Sequence, residues 1–120
     1  MLVERIKWKR VLEGGPRCLP EGRPVRVQVG GNALCLVRNG GQVHALLDRC
    51  PHQGSSFMGG WCEGPDLVCP RHRMGFNLQT GRSRAGGAGT AEVFPVEERA
   101  DGIYVGFAYV TVRLFGVDLW

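Results

Sequence analysis

The chain has 120 residues, a formal net charge of +4 and a hydrophobic content of 43%; that length suits one domain with a modest core and excludes two independent ones. No uninterrupted apolar stretch approaches the ~20 residues needed to cross a bilayer, and MLVERIKWKRVLEGG is too densely charged for the apolar centre of an export signal, so the expectation is a soluble, cytoplasmic protein. The positive balance is almost all arginine, Lys7 and Lys9 being the only lysines, and by itself it suits nucleic acid, an anionic membrane or an acidic protein equally.

Nineteen glycines and seven prolines point to short strands joined by many turns. Ile6 to Leu12 roughly alternates apolar with charged residues, the period of a half-buried strand. Val25, Val27 and Val29 alternate with Arg26 and Gln28, and Gly30-Gly31-Asn32 supplies the positive φ of a hairpin turn. A strand from Ala33 to Arg38 follows, then the turn Asn39-Gly40-Gly41, then a third strand begun by Val43, Ala45 and Leu47. Residues 25 to 47 therefore predict an antiparallel meander. From Asp48 to Gly81 the alternation stops, and Cys, His, Pro and Gly accumulate, which marks an inserted, site-bearing subdomain. Arg82 to Gly89 contains no large apolar residue and predicts a mobile surface loop, extending to residue 91. Strands return over Glu92 to Glu97, with Pro95 confining its strand to an edge or bulge, and over Ile103 to Phe107. Ala108 to Leu114 alternates again and predicts a further edge strand within a C-terminal segment, 108–120. The fold class expected is all-β, with antiparallel sheets in a single domain over 1–120 and an inserted unit at 48–81.

Five cysteines, an odd number, cannot all pair within the chain, and in a reducing compartment thiols serve as metal ligands or small buried groups. Cys18, Cys35 and Cys62 read as small buried residues, and His44 as a surface or hydrogen-bonded histidine. The informative pattern is Cys50-Pro51-His52 followed, after sixteen residues, by Cys69-Pro70-Arg71-His72. Each pair offers one thiolate and one imidazole, stiffened by a proline directly after the cysteine. Two short loops can thus present four ligands to a binuclear iron–sulfur cluster, each loop giving one ligand to each iron. A tetrahedral zinc site uses the same Cys₂His₂ set, but only Pro51 separates Cys50 from His52, which crowds both onto one metal.

This pattern resembles that of the Rieske proteins, C-x-H followed by C-x-x-H. Gly54, Gly59-Gly60 and the run Phe76-Asn77-Leu78-Gln79-Thr80-Gly81 extend the resemblance, which covers residues 8 to 107. It implies a fold of antiparallel β-sheets with a small cluster-binding subdomain, and one [2Fe–2S] cluster held by Cys50, His52, Cys69 and His72. High-potential members add a disulfide between the loops and hydroxyls beside the cluster; here the matching positions hold Ser55 and Arg71, and Met74 and Phe76. The resemblance therefore implies a potential near the lower end of the family range, about −150 mV, with His52 and His72 as titrating groups and electron exit. Arg73 stands where a glycine usually follows the second histidine.

Arg49, Arg71 and Arg73 flank the ligand positions and suit a docking face for an acidic redox partner. His44 is the one histidine left over, too few for the separate mononuclear iron of a Rieske oxygenase. The expected function is a non-catalytic electron carrier, a ferredoxin passing electrons from a reductase to a terminal oxygenase. Alternatives are a Rieske-like small subunit of a reductase such as assimilatory nitrite reductase, or a zinc-stabilised binding module. Aromatics interleaved with the basic residues are too few for nucleic-acid stacking, no membrane role is expected, and the oligomeric state is left open.

Overall fold

The computed structural model describes residues 1–15, 18–87, 89–114 and 117–118, with side chains omitted for 112–114, 117 and 118. All regular elements among them are antiparallel β. Strands β1 (Leu2–Glu13), β2 (Val25–Val29), β3 (Asn32–Asn39) and β4 (Gln42–Leu47) come first. The short strands β5 (Trp61–Glu63), β6 (Asp66–Val68) and β7 (Gly75–Asn77) follow. Last come β8 (Val93–Phe94), β9 (Val96–Arg99), β10 (Gly102–Leu114) and β11 (Val117–Asp118). They form three sheets: an outer one in which β10 pairs with β1, β9 and β11, a central one in the order β2-β3-β4-β8, and a small one, β5-β6-β7.

The meander over 25 to 47 is present as β2, β3 and β4, in register from Val25↔Leu36 and Leu34↔Leu47. Its middle strand reads Ala33-Leu34-Cys35-Leu36-Val37, an almost unbroken apolar run, because the central sheet is covered on both faces. Leu34 and Leu36 pack with Val43, Ala45, Ile103 and Val105 toward the outer sheet. Cys35 and Val37 pack with Leu46, Phe57, Leu67, Phe76 and Leu78 toward the small sheet. Arg38 secures the first interface from the rim: its guanidinium donates to Glu98 on β9 at 2.8 Å and to the Leu19 carbonyl at 3.1 Å.

Three expectations change. The first strand begins at Leu2, four residues before Ile6, because its pairing with β10 runs from Glu13↔Gly102 to Leu2↔Val112. For the same reason Ala108 to Leu114 is not a separate edge strand but the second half of β10. Gly106 does not end that strand; it lets neighbours close in, since a Cβ there would lie 2.9 Å from both Ile6 Cγ2 and Pro95 Cγ. Third, the segment from 48 to 81 contains a sheet of its own, whose three-residue strands are too short to show alternation.

Pro95 does not sit in an edge strand or bulge, as expected, but at a corner that divides the expected strand between two sheets. On one side β8 pairs with β4, on the other β9 pairs with β10, and the Pro95 carbonyl accepts the Gly106 N–H at 2.9 Å. The segment expected to be mobile, from Arg82, is bonded at both ends: Arg82 bridges to Thr90, and the Ala91 N–H donates to Gly81 O at 2.8 Å. Arg84 reaches back from it to Glu63 at 3.0 Å and Asp66 at 3.2 Å. Leu119 and Trp120 lie outside the described residues. No helix of the described residues is long and apolar enough to cross a membrane.

Candidate metal centre

The central and small sheets each end in a loop, and the two loops meet. The first leaves β4 at Leu47 and is anchored by Asp48, whose side chain is fully buried. Asp48 Oδ1 accepts the Phe57 N–H at 2.7 Å, Oδ2 accepts the Ser56 hydroxyl at 2.6 Å, and Arg26 Nε on β2 lies 3.4 Å from Oδ2. One carboxylate therefore ties both ends of the loop to the central sheet. Inside it the Cys50 N–H donates to Ser55 O at 2.7 Å and the Gly54 N–H to Cys50 O at 2.6 Å. Gly54 takes φ +75, which reverses the chain without Cβ strain.

The second loop, residues 69 to 74, joins β6 to β7 and is closed by the Cys69 N–H donating to Met74 O at 2.8 Å. Its reversal falls on Arg73, which takes φ +54. The left-handed conformation of the usual glycine is thus retained by an arginine, at a cost of about 1 kcal/mol. Gly60 lies between the loops, where a Cβ would come 2.3 Å from Val68 O and 2.8 Å from Phe57 O. Gly89, in the segment that follows β7, lies close against Pro51, its Cβ position being 3.0 Å from that ring.

The loops sort their donors by exposure. Cys50 and Cys69 are 2% and 1% exposed, packed into the cluster formed by Phe57, Leu67 and Phe76. His52 and His72 are exposed, with ring centroids 5.0 Å apart in an edge contact at 77°. Burial pushes the Cys50 thiol up; the His52 and Gln53 backbone N–H groups that face its sulfur pull it down, and the adjacent Cys69 thiol raises it. His72 Nε2 lies 2.7 Å from Gln53 Oε1. Ser55 Oγ is buried in the first loop with no protein partner, free for an acceptor outside the polypeptide. Among the described residues no group of three or more His, Cys, Asp or Glu side chains converges to hold one metal ion. What meets here is a thiol pair and an imidazole pair, a donor set suited to two metals of different ligation.

The remaining candidates lie elsewhere. Cys35 is buried, and its thiol is pushed far up by that burial, which keeps it protonated and inert. Cys18 and Cys62 are only half-buried, contrary to expectation, because each sits at the rim of its hydrophobic cluster rather than inside it. His44 is hydrogen-bonded to the Leu78 backbone, and burial lowers its pKa, so it stays neutral. Arg49, Arg71 and Arg73 are all exposed. Asn77 performs the turn function of an aspartate, its Oδ1 accepting the N–H groups of Gln79 and Thr80 at 2.9 and 3.0 Å. Sequence reasoning missed Asp48, Ser56 and Gln53; the signal for Asp48 was a lone acid directly after an apolar strand.

With that geometry established, comparison with known proteins is informative. The Rieske [2Fe–2S] domain family matches residues 9–95, and the chain belongs to that family. It carries one [2Fe–2S] cluster. The ferredoxin component of the naphthalene 1,2-dioxygenase/salicylate 5-hydroxylase systems of Ralstonia sp is 32% identical over 65 residues, 54% of this chain and 62% of the relative. The chain thus spans about three fifths of that relative's length. A solved chain from the complex of reduced oxygenase and oxidised ferredoxin in carbazole 1,9a-dioxygenase is 31% identical with a TM-score of 0.71, covering 82% of this chain and 91% of that one. The fold is shared with a nitrite reductase small subunit of Mycobacterium tuberculosis, described there as putative and NADH-dependent, at 21% identity and a TM-score of 0.70 over 88% of this chain and 96% of that one.

Replacing Asp48 with alanine leaves the Ser56 hydroxyl and the Phe57 N–H without their acceptor; a loss of about 3 kcal/mol is expected, read as a lower unfolding midpoint in urea. Arg73→Gly relieves the left-handed strain and is expected to raise stability by about 1 kcal/mol in the same measurement. Because glycine also loosens the unfolded chain by about 0.5–1 kcal/mol, a midpoint lowered by that full amount would show that Arg73 bears no strain.

Proposed function

We propose that Cys50, His52, Cys69 and His72 hold the cluster, one thiolate and one imidazole from each loop, and that the protein is a Rieske-type ferredoxin rather than a catalyst. The sorting of these four donors carries the reading: the thiols stand together in an apolar wall, and the imidazoles stand together at the surface. When bound, the cluster takes up and releases one electron at a time. Phe57, Leu67 and Phe76 exclude water from the thiol side, while His52 and His72 face the partner and form the shortest route out. Residues 1–120 act as one domain, with 48–81 as the cluster-bearing unit. None of the five cysteines is in a disulfide, which supports a reducing compartment such as the cytoplasm.

Its partners are a reductase and a terminal oxygenase. The similarity to ferredoxins of dioxygenase systems, including one solved with its oxygenase, supports this assignment. Arg49, Arg71 and Arg73 are exposed and lie next to the proposed ligands in sequence, so a positive docking face there suits an acidic surface around the acceptor's own redox centre.

Purified protein is expected to contain two irons and two labile sulfides per chain. Alanine at any one of Cys50, His52, Cys69 or His72 is expected to abolish the visible spectrum. One zinc and a colourless sample would overturn the assignment, and a native spectrum in a single variant would remove that residue from the ligand set. Reversal of Arg49, Arg71 and Arg73 to glutamate is expected to slow association with an oxygenase at least about tenfold at low salt, with the difference narrowing as salt rises. Stopped-flow reduction kinetics measure both.

A further inference from the structure

Gln53 follows His52 in the first loop, yet its side chain reaches the histidine of the second. His72 Nε2 and Gln53 Oε1 are 2.7 Å apart. A carboxamide oxygen only accepts, so this contact uses a proton on Nε2, and in the neutral ring Nδ1 is then the lone-pair nitrogen. His52 bears on the same ring from another direction, with its own ring edge-on at 5.0 Å. The second imidazole is thus held by two consecutive residues of the first loop, one by ring contact and one by a hydrogen bond.

We propose that Gln53 is a positioning residue for the cluster: accepting the Nε2–H of His72, it turns Nδ1 toward the iron and makes that imidazole a stronger electron donor. The inference rests on the assignment of His72 as a ligand. A hydrogen bond from the outer N–H of a ligating histidine to an acceptor fixes the ring's tautomer and orientation and raises its basicity. Greater donation stabilises the oxidised iron, so the bond lowers the reduction potential. It also ties the loops together across the site, so it slows loss of the cluster. Gln53 is neutral and therefore lowers the potential without adding negative charge to the exposed loops that carry Arg49, Arg71 and Arg73.

The test uses the cluster-loaded full chain at one fixed neutral pH, with Gln53→Leu, Gln53→Asn and Gln53→Glu. Leucine has no acceptor and the asparagine amide is one methylene too short, so both are expected to shift the potential upward and to speed cluster loss several-fold. Glutamate keeps the acceptor and adds charge; it is expected to shift the potential downward while the cluster persists as in the parent. Potentials are read by redox titration, persistence by decay of the visible spectrum, and ligation by pulsed electron paramagnetic resonance of the coordinated nitrogens. Unshifted potentials, shifts of one sign in all three variants, or cluster loss without a change of potential would each overturn the inference. Failure of the underlying assignment looks different: His72→Ala would then keep the parent's nitrogen signals whatever the Gln53 variants do.

Discussion

The carboxylate of Asp48 is the contact on which the placement of the site depends. It is buried where the central sheet gives way to the first loop, and removing an anion from water is costly unless donors replace the hydration. Here the Phe57 N–H, the Ser56 hydroxyl and the half-exposed guanidinium of Arg26 do so. Because those donors come from the far end of the loop and from β2, satisfying the charge fixes the loop at both ends. Cys50 and His52 lie inside that bracket. The loop has little apolar surface of its own above Phe57, so hydrophobic burial alone would not determine its path.

Below the loops the two-sided central sheet supplies the stiffness. With Leu34 and Leu36 packed one way and Cys35 and Val37 the other, β3 belongs to two hydrophobic clusters at once. The small sheet is therefore packed against the same strand that the outer sheet covers. Phe57 and Phe76, one from each side of the site, meet in an edge contact at 5.8 Å beneath the thiols. That aromatic pair joins the first loop to the strand that follows the second, so the relative position of the loops is set by packing.

How far this was legible in the sequence follows from the length scale of each feature. The meander was readable because Val25, Val27 and Val29 alternate over enough residues and the Gly-Gly turns punctuate them. The four proposed ligand positions stood out because the spacing of Cys50, His52, Cys69 and His72 is itself the signal. Strands β5 to β7 were not, since three residues give barely one period of alternation and their partners are fixed by tertiary pairing. The continuity of β10 was hidden for another reason: the expected strand passes through Gly106 and stops at Phe107, and only the pairing of Ala108 to Val112 with β1 shows that it goes on. Arg73 is the converse case, a residue that propensity would keep out of the left-handed region. The closure between Cys69 and Met74 leaves the chain no other path, so the loop geometry overrides the preference.

These constraints bear on electron transfer through the sorting of charge. The thiol side is dry and the imidazole side wet, so with the ligand set proposed above the negative charge of two thiolates lies in the interior, while the exposed loops carry arginines. A partner approaching the tip meets positive charge first. An electron held within adds negative charge behind those arginines, and the net positive field at the tip weakens. An acidic partner is thus attracted more strongly to the oxidised carrier than to the reduced one. With the partners proposed above, that bias favours capture of the oxidised form by a reductase with an acidic face. At an acceptor, transfer of the electron tightens the complex rather than releasing it. Fast turnover then requires that docking rely on screened, exposed charges rather than on a buried apolar interface. Arg49, Arg71 and Arg73, all at the surface, are of that kind.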